Sequence, residues 1–320
     1  MPGRAAAFMP LRPEEALTEH IAVPNAPARK RLWNRPILLL ATTSLIWAGH
    51  SVVGKLAVGE IPPMTLTFLR WAFAFVPICF AARHVIVKDF KVLRRHWPYV
   101  LSLGALGYTA FNSLFYLSAH YTGALNMALF QACIPGLVLI GAALGFGARP
   151  KATQAFGAAC TMAGVAVIAA QGQFARLASL SFNFGDVLMF VACVFYAYYA
   201  LALRYRPAVS SIGFLAGVAL AALLTSIPPF LWEISRTGFV LPGLRGWAVV
   251  LYASLGVAFL SQLCFMRGVQ LIGPGRAGVF VNLVPVFGAL MAVGFLGEPL
   301  ASYHLVALAL VIGGIVLAQR

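Results

Sequence analysis

Residues 36–57 read PILLLATTSLIWAGHSVVGKLA, an uninterrupted apolar run in which Lys55 is the charged residue. A helix needs about 20 residues to cross a hydrocarbon core about 30 Å thick. Over all 320 residues, 61% are hydrophobic and 10% are charged, whereas soluble proteins average about 45–50% and about 25%. So few charges cannot cover a water-exposed surface, so the sequence predicts an integral membrane protein.

Nine more apolar runs follow, separated by short polar segments. In lipid only helices and closed barrels satisfy the backbone, and continuous rather than alternating runs favour helices. We therefore predict an all-α integral membrane protein with ten transmembrane helices. The predicted spans are 36–57, 64–84, 98–118, 122–146, 155–171, 185–204, 210–231, 246–266, 274–297 and 301–319.

The basic residues are unevenly distributed among the segments that join these spans. With the N-terminus inside, 18 of the 23 Lys and Arg residues fall in the tail and inner loops, and three fall in outer loops. This excess is typical of cytoplasmic loops, so both termini are predicted to be cytoplasmic. The same bias explains the net charge of +15, so we expect a lipid bilayer around the chain and no nucleic acid partner. Residues 1–35, rich in proline and basic residues, are predicted to be a disordered cytoplasmic tail.

The two halves of the chain share landmarks about 150 residues apart. Pro135 and Pro285 are the clearest pair. The sequence therefore predicts two five-helix repeats, 36–172 and 182–320. Because five is odd, the second repeat enters the membrane with the opposite polarity. Such inverted repeats are typical of transporters with a binding site near the bilayer midplane.

Four motifs stand out: LIWAGHSVVGKLA at 45–57, a proline pair at 62–63, FLRW at 68–71 and GEPL at 297–300. With the Gly-rich last helix, they resemble the EamA-type drug/metabolite transporter superfamily over residues 36–320. The resemblance implies ten helices in two inverted halves, and usually the export of amino acids, sugars or related metabolites. The chain departs from the family at His50, where a smaller polar residue such as Asn is usual. It also carries Ala148 where the second half has Glu298.

Ionisable side chains inside the spans are costly, so each marks a candidate functional group. At 1.5 Å per residue, His50 and Arg70 each lie about 10 Å below the outer boundary, at one level of adjacent helices. With Lys55 near that boundary, they make the outer half of the cavity cationic, and no Asp or Glu lies deep in a predicted span. We therefore predict a small-molecule substrate that bears a carboxylate or another anionic group, such as an amino acid or a small organic acid.

Each of these residues also has a structural interpretation. Lys55 would snorkel to the outer interface, Arg70 would be tied to helix carbonyls or to Glu298, and His50 would be a buried core histidine. His50 is also the mid-span side chain that titrates near neutral pH. A proton-coupled mechanism would therefore use His50 or the substrate itself.

Aromatic and amide side chains complete the predicted site, because small-molecule sites combine apolar walls with a few polar groups. Gln131 and Asn282 shortly precede Pro135 and Pro285, which are predicted to kink their helices and act as hinges. Helix packing is the alternative role of the aromatics, and interhelical hydrogen bonding is that of the amides. The predicted substrate-binding residues are Trp47, His50, Arg70, Tyr108, Asn112, Gln131, Tyr196, Tyr199 and Asn282.

Two further predictions concern association and cofactors. Small residues in the fifth and tenth spans allow close helix contact, either within one subunit or across a homodimer seam. The five cysteines lie in apolar runs without ligand spacing, so we predict no disulfide framework, metal or cofactor.

These observations favour a secondary transporter that exports amino acids or related small metabolites across a bacterial inner membrane by alternating access. The alternative within transporters is a flippase or carrier of lipid, lipid-linked sugar or sugar-type substrates. An enzyme is not expected, since the spans carry no nucleophile–base pair or metal cluster. A receptor is disfavoured because the chain has no sizeable soluble domain.

Overall fold

The computed structural model describes residues 32–148, 150–173 and 183–318. Residues 1–31, which form most of the predicted tail, lie outside the described residues. The described chain is helical, and its helices are α1 Pro36–Leu56, α2 Pro63–Ala82, α3 Ile86–Arg95, α4 Trp97–Ser118, α5 Ala124–Phe146, α6 Ala152–Ala169, α7 Phe184–Tyr205, α8 Ser211–Thr237, α9 Leu244–Ile272, α10 Arg276–Leu296 and α11 Ser302–Ala318.

Within these described ranges, nine helices are long and apolar enough to cross a membrane. The predicted last span, α11, is apolar but has 17 residues, so it is about 26 Å long. Helix α3 was not predicted. It is a short amphipathic helix within the segment that the sequence presents as a basic loop.

Local sequence explains where several helices begin and end. Pro36 and Pro63 occupy the first turns of α1 and α2, where a proline loses no hydrogen bond and its fixed φ suits the helix. Gly147 and Gly297 end α5 and α10 in left-handed conformation, with φ of 63° and 64°. A glycine adopts this conformation without strain, and these two residues are 150 positions apart.

The helices of the two halves pack against each other. Helix α2 packs on α8, α1 packs on α9 and α10, and α6 packs on α11. In the last pair, a Cβ added at Gly157 or at Gly314 would collide with the backbone of the other helix. These glycines therefore form a close contact within one subunit, which is the first of the two roles predicted for the small residues.

Carboxylates from one helix hold the beginning of another. Glu233 of α8 accepts hydrogen bonds from the backbone and hydroxyl of Thr65 in α2, at 2.7 and 2.8 Å. At the other end of α8, Asp89 of α3 accepts from Ser210, which caps α8. Helix N-termini favour negative charge, so the Glu233 contact joins α2 to α8 and the Asp89 contact joins α8 to α3.

Departures from regular α geometry recur in two related pairs of helices, α4 with α9 and α5 with α10. The backbone widens to a π-helix over 103–110 in α4 and over 252–260 in α9. It tightens to a 3₁₀ turn over 131–133 in α5 and is interrupted at Asn282 in α10. The members of each pair are about 150 residues apart, and π-bulges occur frequently at functional sites.

Candidate functional site

Arg70 lies in the middle of the bundle with no acidic partner. It is 5% exposed, and its Nη1 atom lies 2.7 Å from His50 Nε2 and 2.8 Å from the Tyr116 hydroxyl. Its Nε atom is buried and has no hydrogen-bond partner among the described residues. Among the residues that the structure describes, the one ion pair joins Arg245 and Glu60. A buried charge without a counter-ion is unfavourable, so the site suits an anion supplied from outside.

The contact with Arg70 fixes the protonation of His50 in this structure. A guanidinium has only donors, so His50 Nε2 must accept, and the ring is neutral with its proton on Nδ1. The Tyr116 hydroxyl lies 2.9 Å from the same nitrogen. The ring also stacks on Phe115, with centroids 4.4 Å apart and planes inclined by 14°. These contacts hold the His50 ring in one orientation beside Arg70.

Arg70 and His50 face a cavity of about 270 Å³ between the two halves. All nine predicted substrate-binding residues line it, and both predicted hinge prolines do too. Arg70 is the charged residue of this lining. The other residues that line the cavity are Trp71, Gly107, Phe111, Ala132, Ile134, Leu203, Val257, Ala258, Gln262, Phe265, Val281, Val284 and Ile315.

One wall of the cavity is aromatic. The Trp71 and Tyr108 rings are stacked 4.6 Å apart at 4°, and the Tyr108 and Tyr199 hydroxyls are 3.1 Å apart. Tyr196 continues the wall, with its ring centroid 5.6 Å from that of Tyr199. These rings present flat apolar faces together with hydroxyls, which suits a substrate that has both an apolar and a polar part.

The predicted amides lie in or next to irregular helical segments. Asn112 donates to the Tyr108 carbonyl at 2.5 Å, and its buried Oδ1 has no described partner. Gln131 Nε2 lies 3.2 Å from the Ser51 hydroxyl. Pro135 has no N–H to donate to the carbonyl of Gln131, and within the 3₁₀ turn this carbonyl accepts from the N–H of Ile134 instead. The polar groups here are therefore side-chain amides rather than this carbonyl.

Lys55 and Glu298, which were named in the structural interpretations above, both bind helix ends outside the cavity. Lys55 does not line the cavity, because its Nζ binds the carbonyls of Ala119 and Thr122 at 2.8 and 3.0 Å, just beyond the end of α4. Arg70 is not tied to Glu298. That carboxylate instead accepts the N–H groups of Ala124 and Leu125 at the start of α5.

Several residues of the site were missed by sequence reasoning. Tyr116 contacts both Arg70 and His50, and Trp71 follows Arg70 directly, so the aromatic content of FLRW and of helix α4 was a usable signal. Gln262 and Phe265 of α9 also line the cavity. Their polar and aromatic character gave no indication of which face of α9 is turned inward.

A family model described as the EamA-like transporter family matches residues 34–170 and 183–319. The uncharacterized transporter YetK of Bacillus subtilis is 28% identical over 86% of this chain and 84% of its own length. The uncharacterized transporter YyaM of the same organism is 24% identical over 88% and 92% of the two chains. An uncharacterized transporter of Archaeoglobus fulgidus is 27% identical over 82% and 89%.

A solved crystal structure superposes with a TM-score of 0.60 at 22% identity, covering 88% of this chain and 96% of the other. This similarity shows a shared fold. The family model matches both halves of the chain and accounts for most of its length. The chain therefore belongs to the EamA-like transporter family.

Proposed function

We propose that this protein is a secondary transporter that exports a small, carboxylate-bearing metabolite, such as an amino acid, across a bacterial inner membrane. In this proposal the ten helices form two inverted repeats with both termini in the cytoplasm. The two repeats expose the cavity around Arg70 alternately to each side.

The observation that carries the proposal is the buried guanidinium of Arg70 at the edge of a cavity that has no acidic residue in its lining. A carboxylate bound there would receive charge-assisted hydrogen bonds, which are about twice as strong as neutral ones. Bonds of this kind to Arg are often bidentate, and the unpartnered Nε–H is one donor for such an arrangement.

The size of the cavity supports a small substrate over a lipid or a lipid-linked sugar. Its volume of about 270 Å³ is near the lower end of small-molecule sites, about 300–1,000 Å³. The Trp71, Tyr108 and Tyr199 rings would contact the remainder of an amino acid whose carboxylate binds Arg70.

Flux into proteoliposomes tests the proposal. The purified protein would be given a panel of labelled amino acids, each paired with its amide, which lacks the carboxylate and keeps the amino group, with and without a pH gradient. We expect saturable flux of at least one acid and far less of its amide. In Arg70→Gln, we expect acid flux to fall roughly 10- to 100-fold, because each charge-assisted bond contributes about 1.5–3 kcal/mol.

Arg83→Gln is the matched control, because Arg83 is exposed at the end of the same helix and should leave flux unchanged. Insertion and thermal stability of both variants would be compared with those of the native protein. Equal transport of acid and amide by the native protein, or normal acid flux in folded Arg70→Gln, contradicts the carboxylate site.

A further inference from the structure

The contact between Arg70 and His50 determines whether His50 can be protonated while the cavity is empty. While Arg70 Nη1 donates to His50 Nε2 at 2.7 Å, that nitrogen cannot carry a proton. A carboxylate placed between the two side chains would allow Nε2 to be protonated, because its two oxygens accept N–H donors from both Arg70 and His50. An anion favours the charged form of a group beside it, so binding of the anion and of the proton at this site would be linked.

We propose that the cavity binds a carboxylate and a proton together, the carboxylate on Arg70 and the proton on Nε2 of His50. The inference rests on the proposed function, because it assigns a coupling ion to the same site. It adds a second transported species, which travels in the same direction as the carboxylate.

The step balances in protons and charge. The carboxylate replaces His50 Nε2 as the acceptor of an Arg70 N–H. Nε2 then forms an N–H bond with a proton taken from water and donates to the second carboxylate oxygen. One negative and one positive charge enter together, so the charge of the occupied site equals that of the empty one. Release of the carboxylate returns the proton to water and restores the contact with Arg70.

The surroundings of His50 supply no other charge that would decide its protonation. Helix α2 contributes Arg70 and α4 contributes Tyr116, whereas the hydroxyl of Tyr252 in α9 binds the carbonyl of Ile46. Among the described residues, no carboxylate lies within ion-pair distance of His50. The other basic residues of α1 and of the helices packed on it have other partners or are exposed: Lys55, Arg245, Arg267 and Arg276.

Calorimetry in two buffers of different ionisation enthalpy counts the protons taken up on binding. The probe is 3-phenylpropionate, which has one carboxylate and no other group that titrates between pH 6 and 8. We expect the native protein at pH 6.5 to take up about 0.5–1 proton per carboxylate bound. Its affinity should fall as pH rises from 6 to 8, by up to about tenfold per pH unit for one linked proton.

His50→Asn and His50→Gln should bind the probe with an uptake near zero. His120→Asn is the control and should keep the native uptake. His120 is exposed beyond the end of α4, and its pKa is lowered first by partial burial and then by Lys55. The uncharged analogue 3-phenylpropanamide should bind much more weakly than 3-phenylpropionate, and its binding should cause no proton uptake.

Two results would overturn the coupling and leave the carboxylate site intact. These are binding of the probe without proton uptake in the native protein, and undiminished uptake in both His50 variants. Failure of 3-phenylpropionate to bind the folded native protein at any of these pH values would overturn the carboxylate site together with the coupling.

Discussion

Arg70 is costly as a residue of a membrane protein, because its charge is buried without a carboxylate. Its environment lowers this cost only in part. Tyr116 and His50 accept from Nη1, the ring of Trp71 lies 5.4 Å from the guanidinium carbon, and Nε has no described partner. Such an arrangement orients the guanidinium and leaves it available to a ligand.

Tyr116→Phe tests this orienting role at a residue that is 1% exposed. The substitution removes one hydroxyl and leaves the ring, so Arg70 loses an acceptor in a buried place. We expect the free energy of unfolding to fall by about 1–3 kcal/mol, measured by denaturation in detergent. Tyr198→Phe removes a hydroxyl from an exposed side chain and should change stability little. An equal effect of the two variants would show that Tyr116 does not support Arg70.

For single residues, the sequence predicts how deep a side chain lies in the membrane better than which neighbouring helix it faces. Counting residues along each span placed His50 and Arg70 at one level because the rise of a helix is constant. Which neighbour each side chain meets depends on how the helices are rotated about their axes. Tyr116 and the Glu298 contact with α5 follow from that rotation, which no single span encodes.

Among the helices, the N-termini are the points where one half of the molecule holds the other. Glu233 binds the first turn of α2, and Glu298 binds the first two N–H groups of α5, at 2.8 and 2.9 Å. Both carboxylates come from the second half of the chain. If the two halves move against each other, each of these contacts must either break or carry its two helices along together.

Glu298→Gln is expected to weaken the start of α5. The amide keeps one acceptor, but it turns an NH₂ group toward a backbone donor and loses the charge that favours a helix N-terminus. We expect a loss of about 1–3 kcal/mol in the free energy of unfolding. Glu60→Gln is the comparison, since its pair with Arg245 spans 3.9 Å and the Arg245 side chain is exposed, so the pair should contribute about 0–1 kcal/mol. A smaller effect at Glu298 than at Glu60 would contradict the proposed anchoring.

Helix boundaries were predictable where hydropathy changes abruptly. The predicted spans 36–57 and 98–118 match α1 and α4 to within a residue. The predicted ends of α8 and α9, at 231 and 266, are six residues short of the observed ends, because helical hydrogen bonding continues into segments that carry charged residues. The π-helical segments were not predictable, since they depend on packing between helices rather than on local composition.

Across the whole molecule, irregularities recur in matching places. The π-helical segments of α4 and α9, the interruptions near Pro135 and Pro285, and the left-handed glycines that end α5 and α10 each repeat at about 150 residues. The same family model matches both halves. This recurrence shows that the two halves of the chain share the same sequence of helical irregularities.

Cysteine labelling tests the predicted orientation. In a variant without native cysteines, Arg236→Cys at the end of α8 should react with an impermeant maleimide on intact cells. Lys88→Cys in α3 should react only after permeabilisation, because the excess of basic residues predicts that its segment is cytoplasmic. The reverse pattern would invert the proposed topology, and labelling of both sites from outside would contradict the arrangement of the helices.

The carboxylate at the start of α5 has a kinetic consequence. An empty carrier with two identical halves would be open to each side of the membrane equally often. The halves differ here, because the position that corresponds to Glu298 in the first half is Ala148. If the Glu298 contact forms in only one of the two orientations, that orientation is the resting one. The concentrations that half-saturate the carrier would then differ between the two faces, although the final distribution of its cargo would be unaltered.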